Sequence, residues 1–207
     1  MARAHAAIMI LGAMMMLDPP ATAELIEFTF EGELFQVLGE PLPPWEDVEV
    51  GSSYTVSYVF DSETPDESDL EHIGLYFFEY ADITLDDATI RGETVWLRLD
   101  LEYLWLFDNY HVTFTDFPTG WSGGTIDLIG PNDLFETDAL PLDLDLDAFT
   151  GQQAFEFIGP GFELRGNIQT FSRRIVPGPS ALVVLLIGGF MHRRRSRTTS
   201  CVDLSTF

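Results

Sequence analysis

Residues 25–34 read Leu25-Ile26-Glu27-Phe28-Thr29-Phe30-Glu31-Gly32-Glu33-Leu34, and they decide the fold class. Ile26, Phe28, Phe30 and Leu34 share one parity, while Glu27, Thr29, Glu31 and Glu33 share the other. A strand points successive side chains to opposite faces, so the segment predicts a strand with one buried and one solvated face. A helix would turn Ile26 and Phe28 to nearly opposite sides.

The same period recurs along the chain. Tyr54, Val56, Tyr58 and Phe60 alternate with Thr55, Ser57 and Val59. Residues 96–102 and 111–117 alternate as well. The sharpest case is Leu142-Asp143-Leu144-Asp145-Leu146-Asp147, which predicts a strand with leucines on one face and aspartates on the other. Residues 154–158 and 162–171 close the series. Pro41, Pro43 and Pro44 mark one loop, Gly130-Pro131-Asn132-Asp133 and Gly159-Pro160-Gly161 mark turns, and Gly120, Gly123 and Gly124 flank Trp121. No repeat has a solenoid or propeller period. The expected fold is all-β: an antiparallel two-sheet β-sandwich or jelly roll of about eight to ten strands. An N-terminal signal helix and a C-terminal hydrophobic sorting helix are expected to flank it.

The ends differ from this pattern. Residues 1–23 read as a signal peptide: Arg3 and His5, an apolar run over 6–17, a break at Asp18-Pro19-Pro20, then Ala21-Thr22-Ala23. Ala21 and Ala23 form the small-x-small pattern of signal peptidase, so cleavage is expected before Glu24. At the other end Val176-Pro177-Gly178-Pro179 precedes an apolar run, Ala181 to Met191, and then Arg193, Arg194, Arg195 and Arg197. The arginines are a stop-transfer cluster that stays cytoplasmic, which places the preceding chain outside. The run is shorter than the ~20 residues that span a bilayer unaided. A plain C-terminal anchor or a buried helix are the other readings of this segment.

Of 34 acidic residues all but Asp18 and Asp203 fall within 24–176, as do five of the ten arginines, so that segment carries −27 of formal charge where the whole chain carries −24. All ten basic residues are arginine. Such a balance excludes nucleic acid as a partner, because affinity there comes from cations along the phosphates. It equally opposes docking on anionic lipid. The single cysteine, Cys201, excludes an intrachain disulfide and a thiolate metal cluster.

The order of features over 176–197 resembles the PEP-CTERM sorting signal of bacterial surface proteins. The matching recognition residues are Pro177 and Pro179; Gly178 stands where that family has Glu. Ten residues, 198–207, trail past the arginines as a cytoplasmic tail. The resemblance implies processing by an exosortase, a membrane-embedded transpeptidase. Residues 50–66, beginning Val50-Gly51 and ending Phe60-Asp61-Ser62-Glu63-Thr64-Pro65-Asp66, also resemble a block found in PEP-CTERM ectodomains. The resemblance thus implies four parts: signal peptide 1–23, acidic β-sandwich ectodomain 24–175, sorting signal 176–197 and tail 198–207. It implies a secreted or cell-surface protein, held transiently in the inner membrane by its C-terminal segment. Its expected partners are signal peptidase, the exosortase and an exopolysaccharide.

Candidate sites within the ectodomain are few. Asp143, Asp145 and Asp147 open like an EF-hand loop, but Ala148 and Ala154 stand where that loop needs Gly and Glu. On a strand the three carboxylates would project one way at ~6.7 Å intervals, either around a cation or as a charged face that discourages edge pairing. Asp61, Glu63 and Asp66 lie in an acidic loop that either wraps Ca²⁺ or is simply solvated. No other cofactor is expected. Trp121, in its glycine-flanked turn, is the aromatic expected to be exposed for stacking on a sugar, whereas Trp96 and Trp105 fall in strands and are expected in the core. For catalysis the ectodomain offers only His72 and His111, with no G-x-S-x-G, H-E-x-x-H, G-x-G-x-x-G or P-loop motif. Carboxylates are too numerous for any pair to stand out as a glycosidase site. The function expected is therefore structural or adhesive, in an exopolysaccharide matrix. A carbohydrate- or Ca²⁺-binding module is the alternative, and a secreted hydrolase the remote one.

Overall fold

The structure, a computed structural model, describes residues 23–103, 106–117 and 121–177. Ala21, Gly178, Pro179 and the arginine cluster lie outside the described residues, as do both expected flanking helices. Trp105 lies outside them too. Among the described residues, no helix is long and apolar enough to cross a membrane.

Ten strands follow in chain order: β1 (Leu25–Gly39), β2 (Ser53–Asp61), β3 (Ile73–Phe78), β4 (Ala81–Leu85), β5 (Ala88–Gly92), β6 (Thr94–Tyr103), β7 (Phe107–Thr115), β8 (Gly123–Pro131), β9 (Gln153–Gly159) and β10 (Phe162–Val176). All pair antiparallel, and hydrogen bonding runs unbroken in the order β3-β6-β7-β8-β9-β10-β1-β2-β4-β5. The protein is thus all-β, with one continuous sheet where two were expected. The reason lies in β1 and β10, which pair with each other from Leu25↔Val176 to Gly39↔Phe162. Only Leu25–Glu33 of β1 also pairs with β2, and only Phe162–Asn167 of β10 also pairs with β9. One long ribbon therefore serves a different set of strands at each end. Register shifts at Glu31/Gly32 and Leu34/Gln36 interrupt the ribbon between the two sets, as bulges that bend a strand do.

Chain connectivity forces the sheet to curl. β3 and β4 stand far apart in the strand order, yet only Glu79 and Tyr80 join them. β5 and β6 are separated by Glu93 alone. Flat strands spaced ~4.8 Å apart could not be bridged by so few residues, so the two halves must face one another. Their inner faces meet in an aromatic core. Tyr58 of β2 stacks on Phe78 of β3, and Tyr54 of β2 stacks on Phe155 of β9. The predicted parity holds here: Ile26, Phe28, Phe30, Tyr54, Val56, Tyr58 and Phe60 are all buried. Burial of each such side chain contributes roughly 1.5–3 kcal/mol, which is why the period-two signal dictates the strands so firmly.

One predicted strand is absent. Residues 142–147 form a loop that ends in a 3-10 turn at Leu146–Ala148. Side chains satisfy this backbone in place of a ladder. The Asp145 carboxylate accepts from the Asp147 N–H at 3.1 Å, and the Gln153 amide donates to the Leu146 and Phe149 carbonyls at 2.9 and 2.6 Å. Short polar side chains compete with strand pairing in this way. Leu144 is still buried and Leu142 exposed, so the leucines do not share one covered face.

Candidate functional site

The outer face of β6, β7, β8 and β9 is set by the same alternation that builds the core. Val95, Leu97 and Leu99 point inward, which turns Trp96 and Arg98 outward. Val112 and Phe114 are buried, which turns His111, Thr113 and Thr115 outward; Ile126 and Leu128 do the same for Thr125 and Asp127. Strand register then aligns these residues across the sheet. Phe77 pairs with Trp96, Trp96 with Thr113, Thr113 with Thr125, Thr125 with Glu156 and Glu156 with Arg165. A second row places Arg98 beside His111 and His111 beside Asp127.

The second row carries a hydrogen-bonded relay. His111 Nδ1 lies 2.5 Å from Asp127 Oδ1, and His111 Nε2 lies 2.8 Å from the Thr113 hydroxyl. Thr125 donates to the other Asp127 oxygen at 3.1 Å. A neutral ring satisfies both contacts in one tautomer: Nδ1–H donates to the carboxylate and Nε2 accepts from Thr113. Trp96 covers the relay, its ring centroid 5.5 Å from that of His111. The relay lines an open concavity of about 390 Å³, bordered largely by polar residue types, that also includes Glu156, Ser122 and the first residues of β8, Gly123–Thr125. Next to it, Leu70, Ile73, Leu75, Phe77, Trp96 and Arg98 line an apolar groove of about 450 Å³.

Two aromatic assignments reverse. Trp121 is buried, with 5 % exposure, packed against Trp45, Phe157 and Phe162. The indole faces inward, where it completes an aromatic cluster with Trp45, Phe157 of β9 and Phe162 of β10. Trp96 is the half-buried one, on the outer face and not in the core. The parity of Val95, Leu97 and Leu99 already contained this signal. The pairing of His111 with Asp127 did not show in the sequence, because it depends on the register between β7 and β8.

The acidic candidates serve the backbone. Asp61 Oδ1 accepts from the Glu63 N–H, and Asp66 Oδ1 accepts from the Ser68 and Leu75 N–H groups, all at 2.8 Å. Glu63 is exposed. Asp143 Oδ1 accepts from the Leu144 N–H at 3.0 Å, Asp145 caps the 3-10 turn, and Asp147 is exposed. Among the described residues, no three His, Cys, Asp or Glu side chains are grouped to hold a metal ion. At the termini, Ala23 and Pro177 are exposed, and Val176 pairs with Leu25 as the last residue of β10.

Fold and face together define an all-β domain with an amphipathic outer strip. Comparison with family models, with curated proteins and with solved structures finds no match for this chain.

Proposed function

We propose that the chain is an exported surface protein of the PEP-CTERM kind, whose ectodomain is a structural or adhesive component of an exopolysaccharide matrix. In this reading residues 1–23 direct secretion, signal peptidase cuts after Ala23, and an exosortase processes the segment 176–197 at its Pro177–Pro179 motif. The curled sheet is then a β-sandwich in class. The protein is the substrate of the processing chemistry and not its catalyst.

The observation that supports this most is the pairing of Leu25 with Val176. The sheet begins two residues after the proposed signal-cleavage point and ends where the proposed sorting motif begins. Both processing points thus leave the domain side by side, so trimming either end removes nothing from the ladder. Intact mass of the mature protein, from cells with and without the exosortase, tests the reading. Loss of residues 1–23 in both, with loss of the C-terminal segment only where the exosortase is present, is expected. An untrimmed C-terminus in cells that hold the enzyme defeats it.

A further inference from the structure

The outer row that begins at Phe77 changes chemistry from one end to the other. Phe77 is 52 % exposed and Trp96 half-buried, and together they floor one end of the row. Thr113 and Thr125 stand in the middle and Glu156 beyond them. From Phe77 to Glu156 the row crosses four inter-strand intervals, about 19 Å at ~4.8 Å each. The apolar groove and the polar concavity lie along this line and meet where Trp96 touches His111.

Hydrogen-bond capacity at the polar end is mostly for accepting. With His111 in the tautomer that carries its proton on Nδ1, the Thr113 hydroxyl donates to Nε2; the Thr125 hydroxyl donates to Asp127, and both threonine oxygens then present lone pairs outward. Glu156, which faces Arg165 through one oxygen, can only accept when ionised, whereas both Asp127 oxygens are already engaged by His111 and Thr125. A ligand that suits this end must bring several O–H or N–H donors. At the other end it must bring an apolar face to lie on the aromatic rings. Charge narrows the choice further. The ectodomain carries −27 over residues 24–176, which opposes a polyanion. The charges beside the row already have partners, Arg98 with Asp100 and Glu156 with Arg165, so a cationic ligand would have to compete with an arginine for Glu156.

We propose that this row binds an uncharged, linear oligosaccharide laid across the strands, with Trp96 and Phe77 as the stacking floor and Thr113, Thr125 and Glu156 accepting from its hydroxyls. A pyranose ring offers both requirements at once: C–H faces above and below, hydroxyls around its rim. This deepens the adhesive reading and rests on it, and it narrows the polymer to one without carboxylates or sulfates.

The test uses the secreted, mature protein in native affinity gels and calorimetry. The probes are neutral β-1,4-linked glucan, xylan and mannan oligosaccharides, with polygalacturonate and chitosan oligomers as charged arms. Binding to at least one neutral probe is expected, with Phe77→Ser and Trp96→Ala each weakening it by about tenfold, the scale of one lost aromatic contact. Phe77 is a surface position, so that variant stays informative if Trp96→Ala lowers the melting temperature. Glu156→Ala, which removes the accepting oxygens, is expected to weaken binding as well. No binding to any neutral probe overturns the proposal, as does equal binding to polygalacturonate that survives Trp96→Ala. A dimer in light scattering that Phe77→Ser dissociates also overturns it, because the strip would then be the contact between two copies of this chain. The mass measurement above reads export alone, so either result can fail without the other.

Discussion

The hydroxyls of Tyr58 and Tyr110 hydrogen-bond to each other in the centre of the core, although their strands stand five places apart in the sheet. Both side chains are buried, with Tyr58 on β2 and Tyr110 on β7. Each hydroxyl therefore depends on the fold closing for its partner.

Removing one member is expected to leave the other buried and unsatisfied. Tyr58→Phe and Tyr110→Phe should each lower stability by about 1–3 kcal/mol, and the double variant by less than their sum. Tyr54→Phe serves as the contrast, because the buried Tyr54 hydroxyl has no protein partner. Its loss should be near neutral or stabilising. Urea denaturation of the four variants reads this directly, and equal losses at Tyr54 and Tyr58 would refute the pairing argument.

Burial also sets how the domain responds to alkali. It raises the ionisation of Tyr54, Tyr58 and Tyr110 well above the ordinary value, with Tyr110 adding to the effect on Tyr58. Tyr76 is pushed up to about 12 by burial, then by the Asp66 and Asp138 carboxylates. An unfolded tyrosine ionises near ~10, so above that pH the unfolded chain gives up protons that the native chain keeps. Stability from these groups is therefore complete below about pH 10 and falls as pH rises beyond it. Phenolate absorbance from the four should appear only together with loss of the far-ultraviolet dichroism. Ionisation of all six tyrosines near pH 10 with the fold intact would contradict this.

The strands with an uninterrupted apolar parity were legible because burial acts on the side chains themselves. Residues 25–34 and 54–60 needed no knowledge of their neighbours. Residues 142–147 carry an equally regular pattern and are a loop, because Gln153 and Asp145 meet their backbone groups and no strand lies alongside. Trp121 misled because glycines on both sides signal a turn but not the direction the indole faces. The row from Phe77 to Glu156 draws on five strands, and register between strands is set by turns and bulges that composition does not encode. That is why the sequence does not reveal this face, although Trp96 and His111 each stand out in it.

Tyr54 also explains two glycines of the ribbon. A Cβ on Gly166 would run into the Tyr54 ring, and a Cβ on Gly32 would run into both that residue and the Asn167 carbonyl. The ribbon is thinned there so that an aromatic ring can lie across it. Gly32→Ala and Gly166→Ala should each cost about 1–3 kcal/mol in denaturation experiments. Adding Tyr54→Leu should recover part of the Gly166→Ala loss but little of the Gly32→Ala loss, since Asn167 obstructs with its backbone. Equal recovery in both would place the obstruction elsewhere.

Asp66 acts on a sheet edge. β3 is the outermost strand at its end of the order, and Leu75 at its middle has both backbone groups taken by the acidic loop. Asp66 accepts its N–H at 2.8 Å, and the Glu67 N–H donates to its carbonyl at 2.9 Å. Covering an edge in this way blocks pairing with another chain. Asp66→Ala should free the Leu75 N–H, speed protease cleavage within residues 62–72 and lower stability by about 1 kcal/mol. The same contacts bear on calcium. An ion held by both oxygens of Asp66 would have to displace two N–H donors from Oδ1, and among the described residues no three acidic side chains are grouped to share it, so millimolar Ca²⁺ and chelator are expected to give the same melting temperature. A rise of several degrees with Ca²⁺, abolished in Asp66→Ala, would instead make this loop a metal site and its hold on β3 secondary.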